Sequence, residues 1–218
     1  MNGYGFDFHG LRFEARASGA LWWPEGAALI VADLHLGKSE RMARRGGPLL
    51  PPYEGLATLE RLAGEIAALD PQAVVSLGDG FDDMAATEAL DPQVAGALRR
   101  LARGRDWIWI GGNHDPGAPA GLPGRAADSL PLGRVTLRHE AAEGPDVSGH
   151  FHPVVRLAGE RRRAFLLGRD HLLLPAFGAY TGGLSHDDPA LAALVPQGLA
   201  IACGARAIAL PLGRRRRS

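Results

Sequence analysis

A single cysteine, Cys203, is present among the 218 residues, so the chain cannot form an internal disulfide. No apolar run approaches the roughly 18 residues that a membrane-spanning helix needs. The chain also does not open with a cationic segment followed by an apolar run, as a secretory signal would. These absences argue against a disulfide-stabilised scaffold and a membrane protein. We expect a cytoplasmic protein in which Cys203, at the end of the apolar segment 200–203, is a buried thiol.

The sequence also lacks an excess of charge of either sign, with 24 Lys and Arg residues against 24 Asp and Glu residues. No global field would therefore attract a polyanion or an anionic membrane, and any contact with nucleic acid must be local. Two arginine runs, Arg161–Arg163 in an expected hairpin turn and Arg214–Arg217 near the end, are interpreted as solvated. With 46% hydrophobic residues, we expect a single domain over 1–218, with a basic tail from about residue 213.

The apolar pattern changes character along the chain. Its first half predicts strands alternating with helices, including a βαβ unit. Its second half, after Pro131, predicts short strands joined by glycine turns, arranged as hairpins. The predicted elements are a hairpin turning at His9–Gly10, strands Ala27–Ala32, Ala73–Leu77, Trp107–Ile110, Val135–Arg138, Val154–Leu157, Ala164–Leu167, Leu172–Leu174, Leu199–Cys203 and Ala207–Leu210, and helices Tyr53–Leu69 and Asp91 to about Arg103.

Polar clusters that follow the predicted strands contain five of the eight histidines. In an open α/β sheet, ligands bind beyond the carboxyl ends of the strands, so clusters that are distant in the chain can converge there. The clusters are Asp33-Leu34-His35, Gly78-Asp79-Gly80-Phe81-Asp82-Asp83, Gly112-Asn113-His114-Asp115, His139 and Gly149-His150-Phe151-His152.

The residue types in these clusters suit divalent cations. Imidazoles and carboxylates occur together without a thiolate, and the carbonyl of Asn113 can serve as a neutral ligand, which favours Mn, Fe or Zn. Two such ions, bridged by a carboxylate, can activate a water and neutralise a phosphoryl group. Gly78, Gly112 and Gly149 beside the ligands would let the backbone turn sharply. The pattern predicts a two-metal phosphoryl-transfer site.

The ordered set D-x-H, G-D-x-x-D, G-N-H-D, H and G-H-x-H, from Asp33 to His152, resembles the calcineurin-like metallophosphoesterase superfamily. The resemblance implies a four-layer α/β/β/α sandwich of two mixed sheets flanked by helices. It also implies that Asp79 bridges two metal ions. The implied ligands are Asp33, His35, Asp79 and His152 for one ion, and Asp79, Asn113, His139 and His150 for the other.

The same resemblance implies that His114 is a general acid that protonates the leaving oxygen, with Asp82 orienting its imidazole. Several members carry a carboxylate at the position of Asp82. Lys38 and Arg41 follow the first motif and are candidates for binding a substrate phosphate.

A narrower resemblance, from about Leu21 to Gly183, connects the chain with the bacterial ligase-associated DNA damage response endonucleases, the PdeM family. In that family the residue at the position of Asp82 is often His. The resemblance implies a manganese-dependent phosphodiesterase or nuclease that acts on DNA in repair, beside an ATP-dependent DNA ligase, a helicase and an exonuclease. It is carried by Ala32-Asp33-Leu34-His35-Leu36-Gly37-Lys38, Gly149-His150-Phe151-His152-Pro153 and Leu174-Pro175-Ala176-Phe177-Gly178-Ala179-Tyr180-Thr181-Gly182-Gly183.

Two other functions fit the sequence. A small-molecule phosphodiesterase or phosphomonoesterase, such as one for nucleotides, agrees with the neutral net charge. A silent metal-binding scaffold would have no need of a general acid such as His114. If DNA is the substrate, we expect single strands or ends, because no large basic face is available. The glycine-rich segment Pro175–Gly183 is expected to wall the site through close backbone contacts.

Overall fold

Two β-sheets lie face to face in the computed structural model, which describes residues 2–39, 42, 53–82, 90–113 and 121–213. Neighbours are antiparallel from the first to the fourth strand of the first sheet and parallel from the fourth to the seventh. Its strands follow chain order: β1 (Gly3–Phe8), β2 (Leu11–Arg16), β3 (Leu21–Trp23), β4 (Ala28–Ala32), β5 (Ala73–Leu77), β6 (Asp106–Ile110) and β7 (Arg125–Ala127).

The second sheet is mixed rather than a series of hairpins. Its strands are β8 (Leu130–Leu132), β9 (Val135–Leu137), β10 (Asp146–Ser148), β11 (Val154–Leu157), β12 (Glu160–Leu167), β13 (His171–Leu173), β14 (Gly198–Ala202) and β15 (Ile208–Leu212). The spatial order is β15-β14-β12-β13-β10-β9-β8, with β11 paired to β12. Because β10 runs parallel to both β9 and β13, the prediction of hairpins alone was wrong. The unpredicted β3, β7, β8 and β10 have three residues each, too few to show a period.

Helices cover the outer face of each sheet. Helices α1 (Glu54–Leu69) and α2 (Pro92–Ala102) pack on the first sheet, and the short α3 (Pro189–Leu194) packs on the second. The predicted start of α2 is confirmed, because the Asp91 side chain accepts a hydrogen bond from the backbone N of Gln93 at 2.6 Å. The layers confirm the α/β/β/α sandwich. Over the described residues, no helix has both the length and the apolar character needed to cross a membrane.

Strand β4 packs against both neighbouring layers, the second sheet on one face and the helices on the other. All five of its residues are buried. Ile30 and Ala32 face the core between the two sheets, whereas Leu29 and Val31 face the core beneath the helices. The continuous apolar run in the sequence therefore reflects a strand covered on both faces, as predicted. It also carries the first predicted metal ligand, Asp33, at a fully buried position.

The arginine run Arg161–Arg163 is not in a turn. The turn consists of Ala158 and Gly159, both with positive φ, and all three arginines lie in β12, paired with β11. Two residues with positive φ suit the tight turn of a two-residue hairpin, so the strand starts earlier than its apolar part suggested. Arg163 is directed inward and is not solvated as predicted, because its guanidinium donates to two backbone carbonyls. Arg214–Arg217 lie outside the described residues.

Candidate metal centre

The loops that follow β4 and β5 bring the first two motifs together. The backbone N of His35 donates to the carbonyl of Asp79 at 2.9 Å, and Leu36 forms an isolated parallel bridge with Phe81. Parallel neighbours end at the same edge of a sheet, so the residues directly after them meet there. Asp33 and Asp79 are both buried at this edge.

Five of the seven predicted metal ligands have left-handed backbone conformations, with φ between 43° and 68°. Side chains other than glycine adopt this region at a cost of about 1–3 kcal/mol each, and such residues concentrate at functional sites. Here the unusual backbone turns the chain sharply where the strands end, so that side chains from distant motifs point to one place. The five residues are Asp33, His35, Asp79, His150 and His152.

One donor group consists of Asp33, His35 and His152. The Nε2 atoms of the two histidines are 3.4 Å apart, and Nε2 of His152 lies 3.6 Å from Oδ2 of Asp33. One ligand atom from each residue lies within 4.8 Å of the others, as binding to a common ion requires. These three residues were predicted to share an ion.

A second donor group consists of Asp33, Asp79 and His139. Nε2 of His139 lies 3.6 Å from Oδ2 of Asp79 and 3.2 Å from Nδ1 of His150. The side-chain amide of Asn113 is 3.2 Å from the same Nδ1. The structure therefore brings together all seven predicted ligands, here called the metal-ligand cluster, in two adjoining groups.

Asp33 belongs to both donor groups, whereas the bridge was predicted at Asp79. Its Oδ2 accepts from the backbone N of His150 at 3.0 Å, but its Oδ1 is buried and accepts no hydrogen bond within the described part of the chain. A buried carboxylate oxygen without a hydrogen-bond partner is costly, and a bound cation would satisfy it. The cluster therefore fits divalent ions, and the bridging role of Asp79 stays a prediction.

Three contacts outside the cluster orient its imidazoles. Nδ1 of His139 lies 3.1 Å from the carbonyl oxygen of Leu77, and Nε2 of His150 lies 3.9 Å from Oε1 of Glu140. The first distance is that of a hydrogen bond, through which a ligand histidine commonly donates its second ring N–H and leaves the other nitrogen free to bind an ion, whereas the second is only an ion-pair contact. Glu140 could not be predicted from the sequence, since a lone acidic residue next to His139 belongs to no motif.

The third contact involves Asp82, which was predicted to orient His114. Its Oδ1 lies 3.1 Å from Nδ1 of His35, and the carboxyl group is buried. This contact places a carboxylate beside Nδ1 of His35, while Nε2 of the same ring faces Nε2 of His152 at the place where an ion would bind. His114 and Arg41 lie outside the described residues, so their roles and the pairing of Asp82 with His114 stay predictions.

The glycines of the motifs serve two purposes. Gly78 has φ of +70° and forms the turn after β5, as predicted. A Cβ on Gly78 would also overlap the ring of His139. Gly112 has no positive φ, but a Cβ there would overlap the backbone N and the Oδ1 of Asp79. Its small size allows the third motif to approach the second, so its main contribution is space rather than a turn.

The segment Pro175–Gly183 contacts the cluster through its backbone. The backbone N atoms of Phe177 and Gly178 donate to the carbonyls of Ala32 and Asp33 at 2.7 and 3.0 Å. A Cβ on Gly178 would overlap Leu34, so the expected close approach is observed.

The same segment carries an exposed aromatic ring and contacts a lysine that follows the first motif. Tyr180 is 57% exposed, and its carbonyl accepts from Nζ of Lys38 at 3.3 Å. Lys38 therefore lies at the rim of the cluster. The exposure of Tyr180 was not predicted from the sequence.

Comparison with known proteins agrees with this geometry. The model of the calcineurin-like phosphoesterase family matches residues 27–174, which include every member of the metal-ligand cluster. The nuclease MPE from Pseudomonas putida is 30% identical, with a TM-score of 0.75, over 97% of this chain and 100% of that one.

More distant proteins add little. Yfce, a phosphoesterase from E. coli, is 18% identical over 72% of this chain and 83% of that one, with a TM-score of 0.40. No protein with a curated description matches significantly. The family match spans most of the chain and contains the complete cluster, so the chain belongs to the calcineurin-like phosphoesterases and is a metal-dependent phosphoesterase.

Proposed function

We propose that this phosphoesterase is a two-metal nuclease that cleaves phosphodiester bonds in DNA during repair. The observation that carries the proposal is the convergence of two adjoining donor groups in a chain that is 30% identical, over 97% of its length, to a nuclease. The motifs shared with the repair endonucleases support DNA as the polymer. The family match alone supports only phosphoester hydrolysis.

The residues divide the work by position. Asp33, His35 and His152 would hold one ion, and Asn113, His139 and His150 the other, with Asp79 shared between them. When bound, such ions supply an activated water and neutralise charge on the phosphoryl group.

Other residues would orient the ligands and the substrate. Asp82 would fix the ring of His35, and the carbonyl of Leu77 would fix that of His139. His114 would protonate the leaving oxygen, and Lys38 and Arg41 would contact the substrate phosphate.

Manganese is the proposed ion. The mixed imidazole and carboxylate donors suit Mn, Fe or Zn rather than a calcium or magnesium site, and the resemblance to the repair endonucleases favours Mn among these. Protein stripped of metal should regain activity most fully with Mn²⁺ when Mn²⁺, Fe²⁺, Zn²⁺ and Mg²⁺ are compared. Full activity with Mg²⁺ alone would contradict this part of the proposal.

Single-stranded DNA or DNA ends are the proposed substrate. The formal net charge is zero, so a strand must be held by local groups such as Lys38, with the exposed ring of Tyr180 available for stacking. We also propose a functional association with an ATP-dependent DNA ligase, a helicase and an exonuclease. Binding should weaken only modestly with salt, and a steep salt slope on long duplex would contradict the proposed mode of binding.

The decisive experiment compares substrates. Manganese-loaded protein is incubated with single-stranded, duplex and nicked DNA, and in parallel with cyclic nucleotides and phosphomonoesters. We expect single-stranded DNA to be cleaved best, and His152→Ala to lose this activity while His186→Ala, outside the cluster, retains it. Turnover of nucleotides without cleavage of any DNA would favour the small-molecule phosphoesterase instead.

A further inference from the structure

A second polar site lies beside the segment Pro175–Gly183, at a pocket of about 390 Å³. We call it the arginine pocket. Arg61 reaches it from α1, and Arg161, Arg162 and Arg163 reach it from β12. The rest of its lining, Ala17, Ser18, Cys203 and Gly204, contains no carboxylate.

Two of the guanidinium groups are largely buried and lack a balancing charge. Arg61 donates to the carbonyl of Phe177, and Arg163 donates to those of Ala176 and Phe177 at 3.1 and 3.3 Å. Over the described residues, neither arginine forms an ion pair, and Nε of Arg61 is buried without a hydrogen-bond partner. Two positive charges thus face one pocket without an acid to offset them.

Both guanidinium groups keep their charge near neutral pH. Burial, reinforced by repulsion from Arg163, lowers the pKa of Arg61 to about 10, which still leaves it protonated. Burial also lowers the pKa of Arg163. Cys203 offers no compensation, because burial raises its pKa to about 12 and keeps the thiol neutral. The pocket therefore carries a net positive charge.

The arginine pocket and the metal-ligand cluster flank the same two peptide groups. The N–H groups of Phe177 and Gly178 donate to Ala32 and Asp33 on one side. The carbonyls of the same peptide groups, on Ala176 and Phe177, accept from the arginines on the other side, as expected because N–H and C=O of a trans peptide point in opposite directions. An anion in the pocket would therefore sit close to the backbone that carries Asp33.

We propose that the arginine pocket is a second phosphate-binding site, which takes a phosphate group of the nucleic acid strand. A planar guanidinium matches two phosphate oxygens at once, and Oγ of Ser18 accepts from Ala20, which leaves its O–H free to donate. A terminal phosphate, with nearly two negative charges, matches the two uncompensated arginines better than an internal phosphodiester does. The polymer as source of the phosphate rests on the proposed function.

Supporting the segment does not account for all four arginines. Phe177 already accepts from both Arg61 and Arg163, and the Arg61 guanidinium also lies 4.5 Å from the centre of the Phe177 ring. Arg162 does not contact the segment: it pairs with Glu160 at 2.9 Å, and its side chain is 31% exposed. Arg162 is therefore a suitable test position, because its replacement leaves the support of the segment intact.

The first experiment measures phosphate binding without metal or catalysis. Metal-stripped protein, dialysed free of chelator, is unfolded by heat in increasing inorganic phosphate at constant ionic strength. We expect the midpoint temperature of unfolding to rise more with phosphate than with chloride, since a ligand that binds only the folded state stabilises that state. Arg162→Glu should weaken the apparent phosphate affinity about tenfold or more through loss of a charge-assisted hydrogen bond.

The matched control is Arg156→Glu, which changes an exposed arginine of the paired strand β11 outside the pocket and should respond as the unmodified protein does. Arg61→Met provides a second pocket variant. Equal responses of the unmodified protein, Arg162→Glu and Arg61→Met would overturn the proposal. A rise with phosphate no larger than with chloride would also overturn it.

The second experiment identifies the source of the phosphate. Binding is measured for a single-stranded oligonucleotide with a 5′-phosphate, the same strand with a 5′-hydroxyl, and a mononucleotide. Arg162→Glu should weaken the phosphorylated strand most if a terminal phosphate binds, and both strands equally if an internal phosphate binds. Weakening confined to the mononucleotide would overturn the nucleic acid as the source.

These readouts do not depend on cleavage. Cleavage of DNA without a phosphate response would refute the pocket and leave the proposed function intact. A phosphate response in a protein that cleaves no DNA would refute the proposed nuclease function and leave phosphate binding in the arginine pocket intact.

Discussion

The metal-ligand cluster and the arginine pocket are built in opposite ways, although they flank the same two peptide groups. The cluster presents lone pairs on side chains whose backbones are left-handed, such as Asp33 and His152, at the ends of strands. The pocket presents N–H donors on long side chains from the middle of a helix, Arg61, and from a strand, Arg163. The lone pairs of the cluster suit a cation, and the N–H donors of the pocket suit an anion.

The comparison also shows where the chain tolerates strain. Left-handed residues outside glycine cost about 1–3 kcal/mol each, and the cluster contains five of them. Arg61, Arg162 and Arg163 adopt no such conformation. Placement of short ligands such as Asp and His depends on the backbone, whereas arginine reaches its position through a flexible side chain.

The largest effect should come from removing the proposed bridge. Asp79→Ala should lower hydrolysis at least about a thousandfold, because loss of both ions removes several kcal/mol of charge stabilisation. His35→Ala should retain one ion and more activity. Elemental analysis and the rate on bis-nitrophenyl phosphate check both variants. Retention of two ions per chain by Asp79→Ala would contradict the bridge and point to Asp33, which both donor groups share.

Replacement of the general acid should separate substrates that need a proton from those that do not. His114→Ala should keep both metals and lose DNA cleavage by roughly two to four powers of ten, the usual contribution of general acid catalysis. The loss on bis-nitrophenyl phosphate should be much smaller, because nitrophenolate departs readily unprotonated. Equal losses on the two substrates would exclude the general-acid role and favour substrate positioning.

Asp82→Ala should act through metal binding if its contact with His35 is its main role. Loss of a residue that orients a metal ligand typically weakens metal affinity or activity about 10–100-fold. Asp82→Ala should therefore need a higher Mn²⁺ concentration for half-maximal activity, but its maximal activity at excess Mn²⁺ should approach that of the unmodified protein. If Asp82 acts through His114 instead, excess metal will not restore the maximal rate of DNA cleavage.

The smallest effect concerns the thiol on the pocket side. Cys203 has an ordinary pKa of 9.0 and a folded-state pKa raised to about 12, so its stabilising contribution is complete below pH 9 and is lost as the pH rises toward 12. Between pH 8 and pH 10 this loss is on the order of 1 kcal/mol. The free energy of unfolding of Cys203→Ala, measured with urea, should therefore change less with pH over that range. A slope identical to that of the unmodified protein would show that the thiol titrates normally.

An opposing contribution begins near the upper end of that pH window. The lowered folded-state pKa of Arg61, about 10, makes this residue add stability as the pH rises above 10 toward its ordinary value of 12.5. Below pH 10 the penalty from Arg61 is nearly constant. Both contributions change above pH 10, so the contribution of the thiol is measured most cleanly below that pH.

The elements whose local pattern agrees with their geometry could be predicted from the sequence alone. Continuous apolar runs gave β4 and β5, helical spacing gave α1, and the Asp91-Pro92 start gave α2. The motifs at strand ends gave a list of polar residues that the structure gathers into one cluster, because parallel strands end at a common edge. The four-layer sandwich followed from the resemblance that those motifs carry.

The partners of individual side chains depend on tertiary packing and could not be predicted from the sequence. The pairing of Asp82 with His35, the inward direction of Arg163 and the contact of Arg61 with Phe177 join residues that are far apart in the chain. No local propensity encodes them, because a rotamer is chosen by whatever packs around it. The arginine pocket shows the consequence: a run of three arginines has the same appearance in a solvated turn and in a strand, and burial against Phe177 determines that its charge is left without a counterion.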